Sequence, residues 1–187
     1  DWREQEHEIN QFAHFQTTIN DLPIHFIHEK GRGPNSIPLI LTHGWPWTFW
    51  DYKKLIGPLV DPVSFGGDPE DSFDVVIPSL PGFGFSTPLR TSGINYETTA
   101  DLWVELMQKE LGYEKFAAQG GDWGAIIGSR LAMQQEKSVM GLHLNFPAGI
   151  VALSEDDVPP KEELEWRAQM TEWRELEGAY GHIQGTK

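Results

Sequence analysis

Continuous apolar segments alternate with amphipathic segments from residue 37 onward, and this alternation constrains the fold more than any other feature. The apolar runs are short enough to be strands and lack the polar alternation of a half-exposed sheet. They are residues 37–44, 73–80, 115–120 and 139–146. Helical patterns separate them at residues 49–60, 95–112 and 125–138. The sequence therefore predicts an α/β fold with a mostly parallel sheet and flanking helices.

The two ends of the chain have a different character. Residues 2–12 read as a short amphipathic helix, and two strand patterns around Asn20-Asp21-Leu22 predict a hairpin. After Phe146, a proline-containing linker leads into a charged helical pattern. We therefore expect three parts. They are a lead-in segment at 1–14, a sheet core at 15–147, and a linker with the start of a helical region at 148–187.

Charge and composition exclude several classes of function. The 187 residues carry a formal net charge of −14, which disfavours binding to nucleic acid and to anionic membranes. The chain has no cysteine, so it has neither disulfides nor thiolate chemistry, which favours a cytoplasmic location without establishing one. Its polar, acidic first ten residues do not resemble a signal peptide, and no apolar run predicts a membrane span. The sequence predicts no metal or cofactor site.

A lone aspartate lies between glycines where the third apolar run meets a helical pattern. The residues are Gly120, Gly121, Asp122, Trp123 and Gly124. Small residues on both sides permit a tight strand-to-helix turn that presents a nucleophile at the end of a sheet. The positive end of the following helix favours the charged carboxylate, which can attack carbon and form an ester. The alternative, of about equal weight on these residues, is that Asp122 only caps the helix.

The segment THGWPW, which follows the first apolar run, strengthens the nucleophile hypothesis. In folds with such an elbow, the N–H after the nucleophile and one from the loop after an early strand together form an oxyanion hole. Here those donors would be Trp123 and Trp45. Gly44 and Pro46 would shape the loop, with Trp45–Pro46 a candidate cis peptide bond. We expect His43 to fix this loop by hydrogen bonds, although a catalytic base is an alternative.

Four motifs in order resemble the α/β-hydrolase-fold epoxide hydrolases, and within them the microsomal and juvenile-hormone type. They are HGWP, FDVVIPSLPGFGFS, QGGDWGA and HLNFP. Residues 1–28 resemble the end of that group's N-terminal segment, and AYGHIQGTK at 179–187 resembles the start of its helical cap. The resemblance covers nearly the whole chain. It implies an α/β-hydrolase fold that is truncated, with the start of a cap.

The resemblance also implies the chemistry. Asp122 would attack an epoxide carbon to form an ester, and the N–H groups of Trp45 and Trp123 would hold the carboxylate and the later oxyanion. Tyr180 would donate a hydrogen bond to the epoxide oxygen, although it could instead pack the end of a cap helix. The implied partners are a small apolar epoxide and water, and no cofactor is implied.

The family's base and acid have no counterpart here. After Asp122 the sequence has only His143, which we expect in the core, and His182 in the cap motif. We therefore expect a remaining C-terminal segment, in the same or a second chain, to supply the histidine base and the acid. Two alternatives stay open: a haloalkane or haloacid dehalogenase on the same fold, and a non-catalytic ligand-binding hydrolase fragment.

Overall fold

The computed structural model describes residues 1–146 and 159–185 and divides the chain into two compact units, Asp1–Ile150 and Val151–Lys187. The first unit contains a six-stranded sheet of order β1-β2-β4-β3-β5-β6. Its strands are β1 (His14–Ile19), β2 (Leu22–Glu29), β3 (Ile37–Thr42), β4 (Phe73–Pro78), β5 (Phe116–Gly120) and β6 (Val139–Leu144). The strands from β3 onward pair in parallel, as the alternating pattern predicts.

An antiparallel hairpin precedes the parallel strands. Asn20 and Asp21 connect β1 to β2 with φ of 51° and 62°, the left-handed conformation that a two-residue hairpin turn requires. Asparagine and aspartate tolerate this conformation better than other non-glycine residues do. Strand β2 then pairs antiparallel with β4, which joins the hairpin to the parallel strands.

The helices of the first unit cover the two faces of the sheet. They are α1 (Trp2–Ile9), α2 (Lys53–Val60), α3 (Tyr96–Glu105) and α4 (Trp123–Gln134). The pattern at 95–112 predicts one helix, but α3 continues from Leu106 as a π-helical turn to Glu110. The pattern at 49–60 likewise divides, into the 3-10 turn Phe49–Tyr52 and α2. Short 3-10 turns also occur at Pro62–Phe65 and Pro69–Asp71.

Two hydrophobic clusters lie on opposite faces of the sheet. One contains Ile24, Ile40 and Val76 with the fully buried Trp103 of α3. The other contains Ile27, Leu39, Leu41, Val75 and Ile77 with residues of α2. Successive residues of each strand alternate between the faces, so the apolar runs supply both clusters.

Strand β6 lies at one edge and pairs only with β5 among the described residues. Its side chains are therefore less buried than those of the central strands: Met140 is 57% exposed and Leu142 is 38% exposed. His143 is also exposed, so the expectation of a core histidine was wrong. The sequence pattern of β6 is apolar, but a strand at an edge lacks the neighbour that would bury it.

The second unit contains α5 (Lys161–Glu177) and α6 (Ala179–Gly185). The charged helical pattern at 161–180 predicts α5, but the sequence did not predict the helix end at Gly178 or the separate helix α6. Ion pairs one turn apart, Lys161–Glu165 and Arg167–Glu163, lie on α5. The predicted linker lies mostly outside the described residues.

A chain of hydrogen bonds through two histidines ties the hairpin to α1 and to the loop after β4. His14 Nε2 lies 2.9 Å from the Ile9 carbonyl oxygen, and His14 Nδ1 lies 2.8 Å from His25 Nε2. His25 Nδ1 lies 2.9 Å from Ser79 Oγ. A carbonyl oxygen can only accept, so His14 Nε2 donates to Ile9. Both ring nitrogens of buried His25 are engaged, one with His14 and the other with Ser79.

This chain of hydrogen bonds predicts a pH-dependent stability. Burial, with a smaller effect of neighbouring His14, lowers the pKa of His25 to about 4. The unfolded chain therefore binds a proton at higher pH than the folded chain. The stability from neutral His25 is complete above about pH 6.5 and is lost as the pH falls towards 4. Between pH 7 and pH 5 we expect His25 to account for a loss of about 2 kcal/mol in the free energy of unfolding.

Urea unfolding at several pH values measures this effect. A His25→Gln variant should be less stable at pH 7 but should lose less stability towards pH 5 than the unchanged protein. The matched control is His7→Gln in exposed α1, which should retain the original pH dependence. If the free energy of unfolding changes equally with pH in all three proteins, His25 is not the group responsible for the pH dependence.

Candidate active site

The strand-to-helix turn predicted around Asp122 is present and strained. Strand β5 ends at Gly120, and α4 begins at Trp123. Asp122 has φ 52° and ψ −122°, a combination that a residue with a side chain rarely adopts. Such strain costs on the order of 1–3 kcal/mol and is found mainly at functional sites. The sequence pattern therefore identifies the position and the tightness of this turn.

The turn crosses the end of β3 at a distance that only glycine permits. A Cβ on Gly124 would collide with the Thr42 carbonyl oxygen and would lie 3.0 Å from the His43 carbonyl oxygen. A Cβ on Gly120 would collide with the Gly124 carbonyl group, and one on Gly44 would collide with the Asp122 side chain. The backbone of α4 can therefore lie directly against the end of β3.

Gly121 differs from its neighbours. A Cβ there would lie 3.5 Å from Asn145 Cβ, an ordinary van der Waals contact. Steric exclusion therefore does not explain glycine at this position.

The carboxylate of Asp122 faces the loop after β3. The Trp45 N–H donates to Asp122 Oδ1 at 2.8 Å. Asp122 occupies the N-cap position of α4, but its side chain makes no capping hydrogen bond there, so capping does not explain the carboxylate. The expected hydrogen bond from the Trp123 N–H is also absent among the described residues, because this backbone conformation turns the side chain towards Gly44 and Trp45. The second oxygen, Oδ2, has no partner among the described residues.

Buried His43 holds the loop in place. Its Nε2 accepts the Leu80 N–H at 3.0 Å, so Nδ1 carries the proton and donates to the Gly44 carbonyl oxygen at 3.0 Å. Burial lowers the pKa of His43 and keeps the ring neutral, although the bond to Gly44 acts in the opposite direction. Both ring nitrogens are used, which matches the loop-fixing role expected from the sequence and leaves no free nitrogen for a base.

The loop after β3 continues through a cis proline and two exposed tryptophans. The Trp45–Pro46 peptide bond is cis, as the sequence suggested. Trp45 is 38% exposed and Trp47 is 52% exposed, so this loop presents aromatic surface beside the carboxylate.

Aromatic residues that sequence reasoning did not assign surround Trp123. Phe83 and Tyr96 contact its indole edge-on, with ring centroids 5.5 Å and 5.7 Å away, and Phe83 also contacts His43 at 5.8 Å. In the segment PGFGFS, Phe83 lies between two glycines, and this was the signal that could have indicated an aromatic turn packed against the site.

The remaining predicted site residue lies in the second unit. Tyr180 belongs to α6, and its side chain lies outside the described part of the chain. His182 of the same helix is exposed. Within residues 1–146 and 159–185, no cluster of histidine, aspartate and glutamate side chains could hold a metal ion. No helix in that part of the chain is long and apolar enough to cross a membrane.

Comparison with known families agrees with this geometry. The family model for the alpha/beta hydrolase fold matches residues 37–177, and the model for the epoxide hydrolase N terminus matches residues 1–52. The chain belongs to the α/β-hydrolase family. The match includes both the loop after β3 and the elbow at Asp122.

Several proteins that are similar to this chain are named epoxide hydrolases. Epoxide hydrolase 1 of Oryctolagus cuniculus is 43% identical over 151 residues, which cover 78% of this chain and 32% of that protein. The crystal structure of juvenile hormone epoxide hydrolase from Bombyx mori matches with a TM-score of 0.68 at 32% identity, covering 78% of this chain and 38% of that one. The epoxide hydrolase structure from Aspergillus niger matches with a TM-score of 0.71 at 29% identity, covering 97% and 48%.

The chain spans about a third of the length of the curated relatives that it matches. The fold and the elbow are observed in this chain. The activity of the full-length relatives is not, because the chain matches only part of each of them, and it is therefore treated as a proposal.

The close contact between Gly124 and the end of β3 predicts that a side chain at this position lowers stability. Gly124→Ala places a methyl group against the Thr42 carbonyl and should lower the free energy of unfolding by about 3 kcal/mol. The matched control is Gly141→Ala on β6, where a Cβ meets nothing within 4 Å and the change should stay within about 0.5 kcal/mol. Chemical denaturation of the three proteins measures both values, and similar stability of the two variants would disprove the close crossing.

Proposed function

We propose that this chain carries the nucleophile of an epoxide hydrolase that opens an epoxide to a diol. The observation that carries the proposal is the Asp122 carboxylate at the strained elbow, with Oδ1 held by the Trp45 N–H and Oδ2 without a partner among the described residues. The similarity to epoxide hydrolases supports the substrate class. The substrate would be a small apolar epoxide, and the second reactant would be water.

In the first step, Asp122 Oδ2 attacks an epoxide carbon. A carbon–oxygen ester bond forms, and the bond between that carbon and the epoxide oxygen breaks. The electron pair of the broken bond goes to the epoxide oxygen, which takes a proton from the phenol of Tyr180. The Trp45 N–H fixes Oδ1, so the other oxygen is positioned for attack.

In the second step, water attacks the ester carbonyl. The negative charge that develops on the carbonyl oxygen, Oδ1, would be stabilised by the Trp45 N–H, which already donates to this atom. In the described part of the chain, the Trp123 N–H makes no hydrogen bond to the carboxylate, and it would have to approach during the reaction to act as the second donor. The bond between the Asp122 carbonyl carbon and the ester oxygen then breaks, and the leaving alkoxide takes the proton that the base removed from water, so the diol is released. The second proton of the water passes from the new Asp122 carboxyl group to the Tyr180 phenolate, which restores both side chains. This step needs a base to take the proton from water.

His43 is unsuited to that task, because hydrogen bonds occupy both of its ring nitrogens. We propose that a further segment, in the same or a second chain, supplies a histidine base and its acid. The open edge of β6 supports this proposal. Beside that edge lies a groove of about 480 Å³, lined mostly by apolar residues of four strands and α2, among them Leu39, Leu55 and Leu142.

A buried side-chain oxygen of Gln119, on β5 beside the same groove, also supports a further segment here. Gln119 Nε2 donates to Asn145 Oδ1 at 2.6 Å, but Gln119 Oε1 is buried without a hydrogen-bond partner among the described residues. A buried acceptor without a donor is costly, so a segment along β6 that brings a donor would stabilise this edge.

Substitution of Asp122 tests the first step. After incubation with styrene oxide, the unchanged protein should gain one epoxide mass on Asp122, whereas Asp122→Asn should gain none, because an amide is a poor nucleophile for carbon. The matched control Asp101→Asn, on the exposed side of α3, should react like the unchanged protein. Intact-mass and peptide mass spectrometry measure the adduct, and they also exclude hydrolysis of the introduced amide back to aspartate.

The same assay separates the alternatives. The family resemblance implies a second cap tyrosine, which we expect outside residues 1–187. In a complete enzyme that carries it, Tyr180→Phe should slow adduct formation by less than the roughly 10²-fold loss typical of a donor without a substitute. Faster adduct formation from a haloalkane, with release of halide, would favour a dehalogenase. An unreactive Asp122 with both substrates would favour a non-catalytic protein.

Turnover tests the second step. Residues 1–187 alone should form the ester but release no more than about one diol molecule per protein, since His43 has no free nitrogen and no other histidine within residues 1–146 contacts Asp122. Quantifying diol against protein by chromatography gives this ratio. Many diol molecules per protein would contradict the proposal and would direct attention to His143 or His182 as the base.

A further inference from the structure

A second cavity lies beside the elbow, within the first unit. Its volume is about 420 Å³, within the range of small-molecule sites. It lies between the loop after β4, the first turn of α3 and the first turns of α4. Its apolar lining includes Leu80, Phe83, Leu89, Ile94 and Ile127.

The polar side chains at this cavity are mostly occupied by local hydrogen bonds. Asn95 Oδ1 accepts the N–H groups of Glu97 and Thr98 at 3.0 Å, and Thr99 Oγ1 donates to the Asn95 carbonyl oxygen at 2.7 Å. The hydroxyl of Tyr96 has no hydrogen-bond partner among the described residues. The cavity therefore offers an apolar surface with one free polar group.

The loop that forms one wall is itself hydrogen-bonded. The Gly82 N–H donates to the Ser86 carbonyl oxygen at 2.9 Å, and the Ser86 N–H donates to the Phe83 carbonyl oxygen at 2.9 Å. Gly82 has φ 85°, and its Cα packs so closely on Leu89 that a Cβ would lie 3.0 Å from that side chain. The wall is thus formed before any molecule binds.

Trp123 separates this cavity from the nucleophile. Its indole lines the cavity between Phe83 and Tyr96, whereas Asp122, Gly44 and Trp45 do not line it. A molecule in the cavity would contact the indole without reaching the carboxylate. The lining thus leaves the Asp122 carboxylate outside the cavity, although Trp123 adjoins both.

We propose that this cavity binds an uncharged, mostly apolar molecule that carries one hydrogen-bond acceptor for Tyr96. The volume suits about a dozen non-hydrogen atoms, since each takes on the order of 30 Å³. The net charge of −14 disfavours an anion. A bound molecule would hold Trp123 in position at the start of α4, and it would stabilise the folded protein by mass action. This binding goes beyond the proposed reaction and does not depend on it.

Binding of 4-phenyl-2-butanone tests the proposal, because this ketone has the required size, one acceptor and no epoxide. Calorimetry and ligand-observed NMR should show saturable binding to the unchanged protein, and the melting temperature should rise with ketone concentration. Ile94→Trp fills the cavity and should weaken binding at least tenfold. Val63→Trp, at a residue that is 58% exposed in the turn Pro62–Phe65, is the matched control and should bind normally.

A second pair of measurements keeps the test valid if Ile94→Trp folds poorly. Tyr96→Phe should weaken binding of the ketone several-fold but leave binding of butylbenzene, which has no acceptor, unchanged. No saturable binding to the unchanged protein at millimolar ketone would overturn the proposal. Equal binding by the Ile94→Trp and Val63→Trp variants would also overturn it.

Competition decides whether the site is separate from the nucleophile. Saturating ketone should leave the rate of Asp122 modification by propylene oxide within about threefold of its value without ketone. Complete protection in proportion to occupancy would show that the cavity belongs to the substrate site, and it would overturn the proposal of a distinct site. If Asp122 reacts with no epoxide, the proposed function fails, but the binding measurements still test the cavity.

Discussion

The close crossing of the Asp122 elbow over the end of β3 is the constraint on which the site depends. Gly124 lies against the Thr42 carbonyl group, and the crossing brings the Asp122 carboxylate to the Trp45 N–H. Thr42 is fixed from both faces of the sheet. The hydroxyl of Tyr52 donates to its carbonyl oxygen at 2.8 Å, and Trp103 Nε1 donates to its hydroxyl at 3.1 Å. The two hydrophobic clusters therefore meet at the residue that supports the elbow.

This support explains how a strained residue persists. A positive φ at Asp122 costs free energy that only the surrounding structure can offset. Buried Tyr52 and Trp103 each satisfy their polar atom at Thr42, so displacing the end of β3 would expose both rings and break both hydrogen bonds. The apolar packing of both faces thus stabilises the backbone conformation that presents the carboxylate.

Sequence reasoning was strongest where one local rule decides the structure. The alternation of apolar and amphipathic runs predicted the parallel strands, and Asn20-Asp21 predicted the hairpin turn. Glycines around Asp122 predicted the elbow. Sequence reasoning failed where burial depends on a neighbouring strand: His143 has the pattern of a core residue but lies on the edge strand β6.

The direction of the Asp122 side chain also could not be predicted from the neighbouring sequence alone. Whether it caps α4 or faces Trp45 depends on where the loop after β3 lies, and that loop is fixed by a hydrogen bond between His43 and Leu80, 37 residues apart in sequence. The cavity at Trp123 is a similar case, because its walls come from three separate segments. Distant contacts of this kind leave no periodic pattern in the sequence.

The hydrogen bonds of His43 also separate two tasks that one histidine could otherwise share. A ring that accepts from Leu80 and donates to Gly44 holds the Trp45 N–H towards Asp122, but it has no nitrogen left to receive a proton. Lowering its pKa by burial keeps this arrangement intact, because a protonated ring could no longer accept the Leu80 N–H. Positioning of the Asp122 carboxylate therefore resides in the described sheet core, and in the proposed reaction the activation of water falls to a different group. Under that proposal, an additional segment would join the sheet at β6, whose outer edge has no strand partner among the described residues.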